Sequence, residues 1–367
     1  MRILILLLSF LLLSPTAWAS YQDPQIKVLL VKAKQSLKFT SRRGIEIYGA
    51  TQPFSKPRSI TIRNLGRGKV KIGKHAQTTR PFFLSSESPI HLQGRSYEGE
   101  LEIRPFRGGF YVVNHINTEN YLQGVLNAEI STKWNMEVVK AQAILARTYA
   151  LRKARFNKNK AWHLQSGHMD QVYKGVGLSD RRGRLALTQT RGYVVKYQGR
   201  LADVFYHSNC GGYTEDPGNL WAYSLPYYSI KEVPFGHEDP NYYWQTFLSY
   251  RQMAQTMKRA GIPDAQHIEI HERNESNRVQ ELLVQGQQEK VITAKNFRRL
   301  VGYTKVKSLI FEIEPVAGGW QISGQGSGHG VGMCQWAAKE MADTGYKYWD
   351  ILYYFYDGID IEAYGLN

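Results

Sequence analysis

The sequence predicts an α+β protein with a β-rich N-terminal part, a mixed α/β part and a smaller inserted subdomain. Short β-branched runs, separated by Gly, Pro and Asn, fill most of the first 115 residues. Apolar residues then recur at helical spacing between residues 136 and 153. A third stretch, about 236–295, changes pattern again and combines helical and strand segments.

The composition suits a folded protein with an anionic partner. The chain has 367 residues, of which 43% are hydrophobic. This length and apolar content allow a sizeable core and argue against disorder or a coiled coil. The 47 Lys and Arg outnumber the 31 Asp and Glu, giving a net charge of +16. This excess predicts a polyanionic partner: nucleic acid, an anionic membrane surface or an acidic polysaccharide.

The first 19 residues have the pattern of a signal peptide. Arg2 precedes an apolar run over 3–13, and Ala17-Trp18-Ala19 resembles a cleavage site. The run is shorter than the roughly 20 apolar residues that a membrane helix needs. We expect export to the periplasm or the extracellular space, with an uncleaved signal anchor as the alternative. Export argues against a specific nucleic-acid partner, and no later stretch predicts a transmembrane segment.

Residues 20–115 are predicted to form the β-rich N-terminal domain. Strand patterns cover 26–31, 59–62 and 70–72. The runs 101–104 and 109–113 predict a hairpin, because a Gly-containing turn joins them.

Residues 116–367 are predicted to form the mixed domain, with an inserted subdomain at about 236–295. Thr118 is expected to cap a short helix that leads to Leu126, and a stronger helix is expected over 136–153. Strands are predicted at 185–188, 193–197, 202–206, 268–270, 271–273, 281–284 and 307–313. Further helices are predicted at 251–260, 293–301 and 334–344.

Glu129 is the first candidate for chemistry. It lies between apolar neighbours and shortly before Trp134. Desolvation beside an aromatic ring raises a carboxyl pKa, so Glu129 could remain protonated near neutral pH and act as a general acid. The alternative is a carboxylate that caps the following helix.

Two loops carry histidines next to glycines. His207 ends a strand and precedes Gly211-Gly212, and His329 lies in the Gly-rich loop 324–332 before a helix. Such a loop can bind an anion through backbone N–H groups. It fits neither a phosphate loop nor a dinucleotide fingerprint. The alternative for the His207 segment is an ordinary strand-to-loop turn, and the alternative for the His329 segment is a surface loop.

The two cysteines, Cys210 and Cys334, leave three states open. They could form a disulfide in an oxidising compartment, remain free thiols, or join His207 and His329 in a metal site.

Three of these segments together resemble the stage II sporulation protein D (SpoIID) family. They are residues 129–150, which begin EISTKW; residues 206–215, YHSNCGGYTE; and residues 328–335, GHGVGMCQ. Weaker matches occur at 170–175 and 351–356. Each long motif is specific and their order agrees.

The resemblance implies a lytic transglycosylase that cleaves MurNAc–GlcNAc bonds of peptidoglycan and leaves 1,6-anhydro ends, with peptide-stripped strands as the expected substrate. Glu129 matches the catalytic acid. The positions expected to bind glycan in the cleft are Arg147, Tyr173, His207, Ser208, His329 and Gln335. A non-catalytic wall-binding protein that enhances an amidase is the alternative, and an amidase is a candidate partner.

The resemblance implies no required cofactor, although some family members bind zinc near the His motif. Cys210 and Cys334 stand where the family pattern often has Ser. Because both changes fall in motifs expected to lie near one another, they favour a disulfide or a shared metal. Zinc therefore remains an open alternative for this chain.

Overall fold

The structure, a computed structural model, describes residues 21–50, 55–74, 76–167, 170–221 and 223–365. The predicted signal peptide, residues 1–19, lies outside these residues. With 25% helix and 35% strand, the α+β prediction is confirmed. Within the described part of the chain, no helix combines the length and apolar character needed to cross a membrane.

The elements are numbered along the chain. The strands up to residue 117 are β1 (Gln25–Ala33), β2 (Ser36–Thr40), β3 (Glu46–Tyr48), β4 (Ser59–Gly66), β5 (Lys69–Ile72), β6 (Ala76–Thr78), β7 (Phe82–Ser85), β8 (Ile90–Leu92), β9 (Arg95–Tyr97), β10 (Glu100–Phe106) and β11 (Gly109–Asn117). The later strands are β12 (Leu164–Gln165), β13 (Tyr193–Tyr197), β14 (Arg200–Leu201), β15 (Tyr206–His207), β16 (Tyr243–Ser249), β17 (His267–Arg273), β18 (Val279–Gln285), β19 (Lys290–Thr293), β20 (Phe311–Val316), β21 (Gly319–Gln325), β22 (Met333–Cys334) and β23 (Asp360–Ala363). The helices are α1 (Thr118–Glu129), α2 (Met136–Phe156), α3 (Arg181–Gln189), α4 (Pro217–Trp221), α5 (Tyr250–Arg259), α6 (Ala294–Val301), α7 (Gln335–Asp343) and α8 (Tyr348–Phe355).

The N-terminal strands form two six-stranded sheets, in the orders β12-β1-β11-β10-β7-β3 and β6-β5-β4-β2-β8-β9. The predicted hairpin is confirmed, since β10 and β11 pair antiparallel down to Phe106 opposite Gly109. Strand β12 pairs parallel with β1, and one hydrophobic core extends from Ile26 to Ile359. The β-rich part therefore shares its core with the helices instead of enclosing its own.

The predicted long helix is confirmed as α2. The Asn135 side chain caps it by accepting a hydrogen bond from the Glu137 backbone N–H at 3.1 Å. The shorter α1 begins with Asn117 as its N-cap, so the prediction that Thr118 caps it is wrong. The Thr118 hydroxyl instead donates to the Pro24 carbonyl at 2.7 Å and ties the start of the helix to the N-terminal segment.

One predicted strand is a helix in the structure, and another is shorter than predicted. Residues 185–188 lie in α3, which the Asp180 side chain caps through the Gly183 N–H at 2.7 Å. The run 202–206 contributes only Tyr206 to a strand, β15. That short strand pairs parallel with β22 and sets His207 opposite Cys334. The approach requires glycine at Gly332, because a Cβ there would lie 2.1 Å from the Phe205 carbonyl oxygen.

The inserted subdomain has its own core and extends further than predicted. This second core contains residues from Trp244 to Ile322. Strand β16 pairs with β21 from Tyr243 opposite Gln325 onward, so the subdomain continues well beyond residue 295. Helices α5 and α6 agree with their predicted positions. The strand predicted at 307–313 begins later, at β20.

Candidate functional site

A cleft of about 490 Å³ lies where the end of α1, helix α2, the segment after β12 and the segment after β15 meet. Aromatic and charged side chains share its surface. Its lining residues are Glu129, Tyr149, Lys153, Asp170, Val172, Val204, Phe205, Tyr206, Trp221, Tyr223 and His329. Two of the residues predicted for the site, Glu129 and His329, are therefore brought together at this cleft.

Glu129 is the last residue of α1, and hydrogen bonds hold both its carboxyl and its backbone carbonyl. Its Oε1 accepts from the Val172 backbone N–H at 2.7 Å. Its backbone carbonyl accepts from Gln335 Nε2 at 3.2 Å, and the same amide group donates to Gln142 Oε1 at 3.1 Å. These contacts fix both the backbone and the carboxyl of Glu129 relative to the cleft. Its catalytic role and raised pKa stay predictions.

Aromatic rings form one wall of the cleft. Phe205 packs on Trp221 with ring centroids 4.5 Å apart, and Trp221 lies 5.4 Å from the ring of His329. Burial raises the pKa of Tyr206 well above its usual value, so its phenol stays neutral. Trp134, the aromatic residue that the sequence places near Glu129, instead packs on Trp336 at 4.8 Å.

A second carboxyl, that of Asp170, also lines the cleft. It accepts hydrogen bonds from the Tyr149 hydroxyl at 2.8 Å and the Gln165 backbone N–H at 2.9 Å. Lys153 Nζ lies 3.2 Å from Asp170 Oδ1. Both oxygens of Asp170 therefore have protein partners. The sequence patterns indicate no role for Asp170 or Lys153, although the weaker motif match at 170–175 begins at Asp170.

The two histidines lie one behind the other, and His329 is nearer the cleft. His329 faces the cleft, and its Nδ1 accepts from the Val331 N–H at 3.1 Å. Burial, with Arg278 and Arg298 nearby, lowers the pKa of His329 to about 4. His207 lies behind it, with ring centroids 5.3 Å apart and only 5% of its surface exposed. His207 thus supports the cleft wall without lining the cleft.

Arg147 and Tyr173, both predicted to bind glycan, are buried structural residues. Arg147 is 0% exposed and forms a two-pronged ion pair with Glu119, at 2.7 and 2.9 Å. Tyr173 is also 0% exposed, and its hydroxyl donates to Asn114 Oδ1 at 3.0 Å. Neither side chain lines the cleft, and their predicted role in glycan binding stays a prediction.

The other two predicted binding residues also lie outside the cleft lining. Gln335 is 8% exposed, and its side-chain amide donates a hydrogen bond to the backbone carbonyl of Glu129. Ser208 is half-buried, and its carbonyl accepts from the Trp336 N–H at 3.1 Å. The structure thus separates residues that contact the cleft from residues that position its walls.

Cys210 and Cys334 are brought together as the motif order predicts, but they are unbridged thiols. The Cys210 backbone N–H donates to Cys334 Sγ at 3.1 Å. A side-chain hydrogen bond from Cys334 lowers the pKa of the Cys210 thiol, whereas burial raises that of Cys334. Of the four residues considered for a metal, His207, Cys210 and Cys334 cluster, and His329 is not in that cluster.

Acidic pH should destabilise the protein through histidines that desolvation keeps neutral. Burial, with Lys27 and His115 nearby, lowers the pKa of His163 to about 4, and that of His329 has the same value. Since an unfolded histidine titrates near 6.5, the unfolded state binds more protons between these values. Stability is therefore fully present above about pH 6.5 and is lost as pH falls toward 4, by about 1–2 kcal/mol per histidine at pH 5.

Thermal unfolding of wild type and His163→Gln, compared at pH 7 and pH 5, measures this effect. The variant should lose less stability on acidification than wild type, because one of the titrating groups is gone. Equal losses in the two proteins would contradict the expected contribution of His163.

The sequence is similar to a family model and to several known proteins. Residues 107–197 match the family model described as Stage II sporulation protein (SpoIID), and residues 230–332 match a domain of unknown function, DUF8618, which contains the whole second core. An uncharacterised protein of Brachyspira hyodysenteriae is 33% identical over 276 residues, 74% of each chain. The amidase enhancer of Bacillus subtilis is 27% identical, covering 83% of this chain and 49% of the relative. Stage II sporulation protein D of Bacillus amyloliquefaciens is 27% identical, covering 72% of this chain and 79% of the relative.

Proposed function

The chain belongs to the SpoIID family, and we propose that it is a lytic transglycosylase that cleaves MurNAc–GlcNAc bonds in the glycan strands of peptidoglycan. The family and its amidase-enhancer relative support a cell-wall-related role. The observation that carries the proposed reaction is the Glu129 carboxyl, fixed by the Val172 N–H in an aromatic cleft.

Glu129 would act as a general acid in the first half of the reaction. Its protonated carboxyl donates a proton to the glycosidic oxygen, and the bond from that oxygen to MurNAc C1 breaks. Positive charge then develops at C1 and the ring oxygen, as in other reactions at glycosidic carbons. The resulting carboxylate lies close to this charge and stabilises it.

The same group would act as a general base in the second half. The Glu129 carboxylate takes the proton of the MurNAc C6 hydroxyl while O6 forms a bond to C1. The product carries a 1,6-anhydro ring, Glu129 is protonated again, and no water is consumed. One carboxyl therefore suffices for both proton transfers.

The environment of Asp170 supports this single-carboxyl scheme over hydrolysis. An inverting hydrolase needs a second carboxylate that can activate water, and a retaining one needs a carboxylate nucleophile. Asp170 is instead engaged by Tyr149, Lys153 and the Gln165 N–H. We infer that Asp170 and Lys153 shape the cleft and that neither replaces Glu129.

The basic N-terminal sheets would provide a second contact with the wall. Arg42, Arg43 and Arg58 line a surface pocket there, with Glu87 at its edge. An exported protein with this excess of Lys and Arg would be retained by an anionic wall polymer through such arginines. We therefore propose a periplasmic or extracellular, wall-associated protein.

The second candidate function is a non-catalytic wall-binding protein that enhances an amidase. The 27% identical relative named amidase enhancer favours it. A pure binder would not need a carboxyl fixed in the cleft as Glu129 is, so we rank it second.

Incubation of residues 20–367 with glycan strands stripped of stem peptides distinguishes the two functions. Mass spectrometry of the soluble products should show 1,6-anhydroMurNAc ends if the chain is a lytic transglycosylase. Glycan binding without such products would contradict the enzyme. Stimulation of an added amidase in that case would favour the second function.

A further inference from the structure

We propose that the inserted subdomain carries a second glycan-binding site, which takes uncharged N-acetylated sugars such as the GlcNAc units of peptidoglycan. The site is a pocket of about 470 Å³ at one end of the sheet β16-β21-β20. The described residues that line it all differ from those that line the cleft. The choice of ligand rests on the proposed function, whereas the existence of the pocket does not.

The alternation of the strands gives the pocket an apolar floor and a polar rim. Trp244 and Phe311 belong to the second core, are at most 6% exposed and form the floor. Both pair with Gly324, where a Cβ would lie 2.4 Å from the Trp244 ring, so glycine allows this close approach. Tyr243 and Gln245, on either side of Trp244 along β16, therefore face solvent.

Tyr243 offers an aromatic surface for a sugar ring. It is 74% exposed, and its ring packs edge-on against the buried Tyr242 with centroids 4.8 Å apart. A tyrosine ring supported in this way has an apolar face and a hydroxyl at its tip. A pyranose has an apolar C–H face surrounded by hydroxyls. The two can therefore stack while the sugar hydroxyls reach the polar rim.

The polar rim consists of amide and hydroxyl groups that are available for hydrogen bonding. Gln245 Oε1 accepts from Gln321 at 3.2 Å, and Gln325 Nε2 donates to the Gly211 carbonyl at 2.9 Å. The opposite ends of these two amides remain for a ligand. Within the described part of the chain, the Ser323 hydroxyl and the Asn277 side-chain amide likewise have no protein partner. Such groups both donate and accept, as sugar hydroxyls and acetamido groups require.

The charge of the pocket suits an uncharged ligand. Among the described residues that line it, only Glu312 carries a charge, and its carboxylate is paired with Arg273. This pocket therefore has no surplus positive charge that would attract a phosphate or a carboxylate. It differs in this respect from the arginine pocket of the N-terminal sheets. A neutral sugar with an acetamido group matches the combination of aromatic ring, amides and hydroxyl.

The wall that carries Asn277 is fixed before any ligand binds. Asn277 lies between β17 and β18 in the left-handed region, with φ of 60°. The Asn274 side chain accepts from the Arg278 backbone N–H at 3.0 Å and donates to Glu215 of the main fold at 2.7 Å. Because this turn is already ordered, binding there costs little conformational entropy.

The pocket is close enough to the cleft for one glycan strand to reach both. Gln325 lines the pocket and His329 lines the cleft. Their positions are four residues apart along the chain, so their α-carbons lie at most about 14 Å from one another. A strand bound in the cleft can thus extend to the inserted subdomain. The second contact would hold the polymer on the protein between successive cleavages.

Isothermal titration of residues 20–367 with chitohexaose, an uncharged oligomer of β-1,4-linked GlcNAc, measures the binding. Tyr243→Ala should weaken it about tenfold, a loss typical of an aromatic anchor. Gln245→Ala should weaken it at least about threefold through lost hydrogen bonds. Tyr303→Ala is the matched control, because Tyr303 is also exposed in this subdomain but does not line the pocket. This control should bind as wild type does.

Tyr223→Ala locates the binding, since Tyr223 lines the cleft. It should leave the contribution that depends on Tyr243 unchanged. Chitohexaose binding that is lost in Tyr223→Ala and unchanged in Tyr243→Ala would place the ligand in the cleft and overturn the proposal. A wild type that does not bind chitohexaose, or that binds an isolated stem peptide in its place, would also overturn it. If circular dichroism shows that Tyr243→Ala is unfolded, the exposed polar change Gln245→Ala decides.

The result is separable from the proposed reaction, because chitohexaose contains no MurNAc and its binding requires no cleavage. Formation of 1,6-anhydro ends together with binding that is independent of Tyr243 and Gln245 would remove the second site and leave the enzyme in place. Binding that depends on Tyr243, without 1,6-anhydro ends from stripped glycan, would remove the reaction and leave the site in place.

Discussion

Glu129→Gln should abolish the formation of 1,6-anhydro products while leaving glycan binding close to wild type. The amide keeps the size of the side chain but cannot donate or accept the proton that the reaction moves. General acid–base catalysis contributes typically 10²–10⁴-fold, so a loss of about this size is expected. Product release from peptide-stripped glycan, followed by mass spectrometry, measures the rate.

Glu314→Gln is the matched control, because Glu314 is exposed on β20 in the inserted subdomain. This control should retain the wild-type rate. Undiminished product from Glu129→Gln would remove Glu129 from the mechanism. A pull-down with insoluble glycan confirms that the variant still binds.

Arg147→Met should be the most destabilising single change considered, at about 3–5 kcal/mol. The guanidinium is fully buried and bonded to both carboxylate oxygens of Glu119, and its Nη1 donates to the Tyr193 carbonyl at 3.0 Å. Removing it leaves a largely buried carboxylate without its main partner. Urea unfolding followed by circular dichroism measures the free energy of unfolding.

Two further variants separate this effect from a general loss of charge. Glu119→Gln combined with Arg147→Met should be more stable than Arg147→Met alone, because no unpaired charge remains. Arg152→Met, in the same helix, should cost about 0–1 kcal/mol, since Arg152 is half-exposed and pairs with Asp203 at 3.1 Å. If the Arg147→Met protein is stable but fails to bind glycan, that result would instead support the role in glycan binding that the motif implies for Arg147.

The contrast between Glu129 and Arg147 shows where sequence reasoning reaches its limit. The motif order correctly predicts that the segments of Glu129 and His329 approach one another. It does not say which side of α2 faces the cleft, because residues 138–151 of that helix are buried on almost every side. Tyr149 and Lys153 line the cleft, while Arg147 points to Glu119.

The secondary structure of short segments is the other property that the sequence patterns do not predict correctly. The run 185–188 contains apolar and polar residues that suit either a strand or one turn of helix. The Asp180 cap and the packing of α3 on α2 make this run helical. Because the packing is a long-range contact, the local pattern does not reveal it. By contrast, the β10–β11 hairpin is local, so its turn and alternation were sufficient to predict it.

The inserted subdomain leaves and re-enters the main fold at neighbouring points, since Tyr243 is paired with Gln325. This is the geometry of a cassette, which evolution can lengthen, shorten or exchange without moving the strands on either side. The cassette nevertheless contributes Arg278, whose guanidinium donates to the carbonyls of Cys210 and Tyr213 in the main fold. Loss of the inserted subdomain would leave the carbonyls of Cys210 and Tyr213, beside the cleft wall, without the buried guanidinium that donates to them. The inserted subdomain is therefore separable in its topology, but buried side chains join it to the main fold, among them Arg278 and Ser276, whose hydroxyl donates to Glu215 at 2.9 Å.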